Sequence, residues 1–209
     1  MAIILGERLG AYTVLRELGR GGSGLVYLAE DHALGRQCAI KVLHAHLAHD
    51  EISMERFRRE VKAAAAIDHP AIVKGRPIEQ LPDGSWCCVM EYVDAPTLTD
   101  LCKRSGEPMS LGRVLEIIAP ICEAFDLLHA LQIIHRDLKP DNVLITRRNG
   151  RDFPRVLDFG IAKSIRNNEP GLTRPGVAPG TAAFMAPEQA KGERRPDPLP
   201  WTPSIPLPS

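Results

Sequence analysis

Apolar and polar positions alternate through the first third of the chain, and residues 12–18, 25–30 and 37–43 each read as a strand. Gly19, Gly21, Gly22 and Gly24 separate the first two strands, and Leu34, Gly35 and Arg36 turn the chain into the third. Between residues 51 and 67 the period changes. Phe57, Val61 and Ala64 recur at helical spacing, Glu55 and Arg59 form an i,i+4 charge pair, and Asp68, His69 and Pro70 end the run. Residues 87–93 return to strand after a turn at Pro82, Asp83 and Gly84. Beyond Asp94 the pattern is helical. Val114, Ile118, Ile121, Phe125 and Leu128 predict the core-facing stripe of one long helix over 111–130, with Ser110 as its N-cap and a bend near 116–120 caused by Pro120. Six of the 18 prolines fall within residues 196–209, a density that excludes helix and predicts a disordered or polyproline-like tail.

Composition narrows the class. The 209 residues carry 26 Lys+Arg against 26 Asp+Glu, a balance that offers no general attraction to nucleic acid or anionic lipid. No apolar run approaches the roughly 18 residues of a membrane-spanning helix, and residues 1–8 lack the basic leader of a signal peptide. The five cysteines are odd in number and contain no Cys-x-x-Cys, so they read as small buried or half-buried side chains in a reducing, cytoplasmic compartment. His44, His46 and His49 have no cysteine or second cluster to complete a metal site and read as solvated loop histidines.

Three groups of residues carry candidate chemistry. Gly19, Gly21, Gly24 and Val26 fit G-x-G-x-x-G-x-V, in which glycines let backbone N–H groups approach phosphates. A dinucleotide site needs a helix after the glycines. Here a strand follows, which argues for a hairpin folded over the phosphates. Lys41 lies inside the third strand, on one face with Ala39, and Glu60 on the following helix is its obvious carboxylate partner. His135-Arg136-Asp137-Leu138-Lys139-Pro140-Asp141-Asn142 places a base, a cation and an amide oxygen within six residues, and Asp158-Phe159-Gly160 begins sixteen residues after Asn142. Two oxygen ligands of this kind suit Mg²⁺ ions held mainly by substrate phosphates.

With Gly180-Thr181 and Ala186-Pro187-Glu188, these segments stand in the order found in Hanks-type protein kinases, and the chain resembles their bacterial serine/threonine branch over about residues 10–192. The resemblance implies an α+β, two-lobed kinase-like fold: a small β-rich N-lobe over 1–93, a partial helical C-lobe over 94–192, and the proline-rich tail over 193–209. It implies transfer of the γ-phosphate of ATP, with Mg²⁺, to Ser/Thr hydroxyls of a protein substrate. Lys41 would hold the α/β-phosphates and Glu60 would orient it. Asp137 would accept the hydroxyl proton, Lys139 would neutralise the γ-phosphate, and Asn142 and Asp158 would ligate Mg²⁺. Gly19, Gly21 and Gly24 would cover the phosphates. Leu18, Val26, Ala39 and Leu144 would line the adenine site, with Met90 as gatekeeper and Glu91 to Val93 as hinge. Arg136 would pair with an activation-loop phosphate, with Thr173 the first choice over Thr181.

The chain also departs from that pattern. Lys191-Gly192-Glu193 runs into prolines where relatives continue into a buried helix, and no arginine is present to pair with Glu188. Glu188 is therefore expected to be exposed, and part of the apolar face of 111–130 uncovered. The column between the lobes would comprise Ala64, Gly75, His135 and Phe159, two of them small. The open alternative is a nucleotide-binding fragment without phosphotransfer.

Overall fold

The computed structural model describes residues 5–22, 24–45, 54–55, 58–59, 61–62, 65–131, 133–135, 137–157 and 183–184. Glu60, Ala64, Arg136, Asp158, Phe159, Thr173, Thr181, Glu188 and the tail lie outside the described residues.

Antiparallel strands build the first half. They are β1 (Arg8–Leu9), β2 (Tyr12–Gly21), β3 (Gly24–Asp31), β4 (Arg36–Leu43), β5 (Glu79–Gln80) and β6 (Trp86–Glu91), in the order β1-β2-β3-β4-β6-β5. The three expected N-terminal strands are present. The first runs three residues further, to Gly21, and the strand expected over 87–93 ends at Glu91, leaving 92–96 as extended connection. Alternation along β4 explains why both faces are buried. Cys38, Ile40 and Val42 enter one core with Val14, Tyr27, Ala29, Cys87 and Val89, while Ala39, Lys41 and Leu43 turn the other way. Burial pushes the Cys38 thiol up to about 11 and the Cys87 thiol up to about 12. Cys102 and Cys122 are exposed, against the sequence expectation, because they fall on the solvent sides of their helices.

One buried charge organises the far end of this sheet. Asp31 accepts from Arg76 Nη2 at 2.6 Å and from the N–H groups of Ala33 and Leu34, closing the turn in which Gly35 takes φ +60°. Burial alone would raise the Asp31 pKa, but the Arg76 hydrogen bond and the two backbone donors outweigh it and hold the carboxyl below its ordinary range. Arg76 also donates to Tyr12 Oη, which donates to Glu79 at 2.7 Å.

The second half holds α1 (Leu98–Ser105), α2 (Leu111–Ala130), the 3-10 turn Pro140–Asn142, and the hairpin β7 (Val143–Arg148) and β8 (Arg151–Val156). Thr97 caps α1 in a capping box with Asp100, and Ser110 caps α2 as expected. Helix α2 stays helical through Pro120. Its buried stripe differs from the expected one: Ile117, Ile121, Ala124 and Leu128 face the core, while Val114 and Ile118 are 37% and 44% exposed. Apolar residues occupy more than one face of α2, so spacing alone admits two seams, and packing against β7 and β8 selects the one containing Ile117. Leu111, Leu115 and Leu127 are exposed. Asp152 on β8 ties this unit together by accepting from Arg113 of α2 and Arg147 of β7. Among the described residues no helix is long and apolar enough to cross a membrane.

Candidate active site

The segment after α2 is ordered by a histidine. His135 is buried and stacks on Phe125 with ring centroids 5.5 Å apart. Its Nε2 lies 2.9 Å from the Leu157 carbonyl, which can only accept, and its Nδ1 accepts the Asp137 N–H at 3.3 Å. These partners select the neutral tautomer with the proton on Nε2. Asn142 Nδ2 then donates to Asp137 twice, to its carbonyl at 2.8 Å and to Oδ2 at 3.0 Å. Lys139 Nζ stands 3.5 Å from the same Oδ2. The 3-10 turn starts at Pro140, whose fixed φ suits a first helical position, and it brings the Asn142 N–H onto the Lys139 carbonyl. Asp137, Lys139 and Asn142, three of the residues singled out in the sequence, therefore converge. The Leu157 N–H donates to the Asn142 carbonyl, so the residue immediately before Asp158 is held by the same segment.

The glycine-rich turn is a hairpin, as its sequence implies. The β2–β3 ladder closes at Gly21 opposite Gly24, with Gly19 opposite Val26. A Cβ at Gly24 would sit 1.9 Å from the Val42 carbonyl oxygen, whereas one at Gly19 or Gly21 would meet nothing within 4 Å. The backbone at Gly19 and Gly21 is thus open to close approach. Leu18 lies in a bulge of β2, half-buried. His44, at the end of β4, bonds to the Gly21 carbonyl at 3.1 Å. Lys41 is 6% exposed and sits opposite Val26 on β3 and Cys88 on β6.

Between the two units runs the 91–97 connection. Ala39 pairs with Met90, Gly75 bridges Met90 from the other side, and Thr97 bridges the buried Leu144 on β7. Val93 is half-buried within the connection. Glu91 and Tyr92 reach opposite neighbours. Glu91 accepts from Arg155 Nη2 on β8, whereas Tyr92 Oη accepts from Arg16 Nη2 on β2 and donates to Asp94. Arg155 Nε is buried without a hydrogen-bond partner among the described residues, a state that costs about 1–3 kcal/mol.

Carboxylate and amide oxygens are hard donors suited to Mg²⁺. Asn142 fits that chemistry, since its Nδ2 is committed to Asp137 and no hydrogen bond engages its Oδ1 among the described residues.

The protein kinase domain model matches residues 12–198. The chain belongs to the protein kinase family. Serine/threonine-protein kinase Pkn1 of Myxococcus xanthus is 40% identical over 190 residues, covering 90% of this kinase chain and 27% of that protein. PknB of Mycolicibacterium smegmatis is 44% identical over 179 residues, covering 84% and 28%. The chain thus spans roughly a quarter of the length of these two curated relatives. The Mycobacterium tuberculosis PknI kinase domain superposes with a TM-score of 0.66 at 33% identity, covering 77% of this chain and 64% of that one. The protein kinase fold, with a curled β-sheet N-lobe, accounts for the architecture above.

Sequence reading did not single out Arg155 or Arg16, and took Tyr92 only as part of the 91–93 hinge. The signal for the first was available: Asn149-Gly150 between apolar strands marks a two-residue hairpin, and both residues take positive φ here, at 51° and 78°. That hairpin places Arg155 opposite Leu144.

Proposed function

We propose that this chain is the catalytic region of a cytoplasmic serine/threonine protein kinase that transfers the γ-phosphate of Mg-ATP to protein hydroxyls. The observation that carries the reading is the convergence of Lys139 and Asn142 on one oxygen, Oδ2 of Asp137. A carboxylate oxygen held this way by a cation and an amide is aimed, as an acceptor of a hydroxyl proton must be. Five free cysteines and the family's use of ATP support the cytoplasmic location.

Each residue then has a part. Asp137 accepts the substrate hydroxyl proton on its carboxylate. Lys139 balances charge that builds up on the transferring phosphoryl oxygens. Lys41, buried on β4, grips the α- and β-phosphates, with Glu60 orienting it. Leu18, Val26, Ala39 and Leu144 enclose adenine beneath Met90, and Glu91 to Val93 present backbone groups to its edge. Gly19, Gly21 and Gly24 let the hairpin lie against the phosphates. Asn142 and Asp158 would hold Mg²⁺, which would neutralise phosphate charge when bound. We place the lobe boundary between residues 93 and 94, and propose that phosphorylation at Thr173 engages Arg136.

The test is phosphotransfer to a generic basic protein by the chain and by Asp137→Asn. The wild type is expected to incorporate phosphate and the variant to lose nearly all of it. Equal incorporation would assign the activity to a contaminant and end the reading.

A further inference from the structure

We propose that Arg155 is a positioning residue for the nucleotide, setting the hinge through its ion pair with Glu91. This rests on the reading of residues 91–93 as the hinge. Glu91 is the last residue of β6, and Arg155 reaches it from β8, 64 residues further along the chain. The strand that carries Arg155 is fixed. Val156 donates to the Ala71 carbonyl and accepts from the Val73 N–H, and Leu157 is held between His135 and Asn142. Arg155 therefore stands on a rigid post that leads within two residues into the catalytic segment. On the other side, Arg16 of β2 donates to Tyr92 Oη, so residues 91 and 92 are held from β8 and from β2.

Stability does not explain this arginine. The pair is a single contact between an Arg155 side chain 20% exposed and a Glu91 side chain 42% exposed, so water reaches the carboxylate and the pair contributes little to folding. The same side chain leaves a buried Nε unsatisfied. An apolar residue of similar length would avoid that defect. What it could not do is fix the end of β6 relative to Leu144, the residue facing Arg155 across the hairpin. Binding of a ligand between Ala39 and Leu144 depends on that spacing.

Arg155→Met, Arg155→Lys, Glu91→Gln and the Met/Gln double variant, each in the full 209-residue chain, test the assignment by titration with Mg-ADP alongside thermal unfolding. Arg155→Met is expected to weaken Mg-ADP about 5- to 10-fold while the midpoint stays within about 2 °C of wild type or rises. Arg155→Lys should recover part of the affinity. Adding Arg155→Met to Glu91→Gln should change affinity less than about twofold, because the contact is already broken. Unchanged affinity in Arg155→Met, independent additive losses, or a lowered midpoint with normal affinity would each overturn the proposal. A wild-type chain that binds no Mg-ADP would overturn the kinase reading and this one together, whereas a wild type that binds separates the two.

Discussion

Two glycines of one motif should respond to the same substitution in opposite ways. At Gly24 an added methyl carbon would lie 1.9 Å from the Val42 carbonyl oxygen and 2.8 Å from the carbonyl carbon. Ordinary carbon–oxygen contact is about 3.3 Å, so the shortfall is about 1.4 Å, and the obstacle is backbone rather than a side chain that can turn away. The β3–β4 ladder must open where Gly24 faces Leu43 and Leu25 faces Val42. Overpacking costs about 1–3 kcal/mol, and a rigid obstacle puts Gly24→Ala near about 3. For a chain of this size that lowers the midpoint by about 6–12 °C. At Gly21 the methyl meets nothing within 4 Å, and φ is not positive. Removing glycine from a strand there is worth about 0.5–1 kcal/mol, so Gly21→Ala should melt slightly higher than wild type. Under the proposed function its loss should fall on the ligand side, as a smaller Mg-ADP-induced shift. Thermal unfolding of both variants, with and without Mg-ADP, checks the argument. Gly24→Ala melting within about 2 °C of wild type would refute the clash, and Gly21→Ala falling as far as Gly24→Ala would show that both glycines serve the fold.

Further outcomes follow from the packing and the buried charge. Asp31→Asn should cost about 2–3 kcal/mol at neutral pH, below the roughly 3–5 of a fully buried pair because Arg76 is partly exposed. The Asp31 pKa is depressed in the fold, so its contribution is present above the unfolded value of about 4 and fades as pH falls through the folded one. Urea titrations at several pH values should therefore show the wild-type advantage shrinking in acid, and an advantage constant down to about pH 2 would contradict the assignment. Leu128→Ala, at a fully buried position, should cost about 2–5 kcal/mol. Ile118→Ala, on the exposed face of α2, should stay within about 0.5 kcal/mol, and equal losses would mean the buried seam of α2 has been misassigned.

The exposed apolar side of α2 shows where periodicity stops being informative. An amphipathic helix announces its core face when polar residues fill the other faces. Here Leu111, Leu115, Ile118 and Leu127 are apolar yet exposed, so the spacing allowed a stripe through Val114 and Ile118 where packing chose Ile117 and Ala124. The β4 alternation had no such ambiguity. A period of two assigns each residue to a face, and Ala39 and Lys41 lie together as read.

By itself the sequence determined the strands flanking the glycine hairpin, the N-cap and extent of α2, and which residues of the 135–142 segment are candidates for chemistry. Those features are local: glycine spacing, a serine cap and a short run of base, cation and amide act within a few residues of themselves. Only the tertiary structure decided which apolar seam is buried, that Asp31 finds Arg76 45 residues away, and that Arg155 meets Glu91 across 64 residues. The first two are settled by packing within one unit, and only the Arg155–Glu91 pair depends on how the two units come together at the 91–97 connection; long-range contact leaves no periodic trace in a single chain.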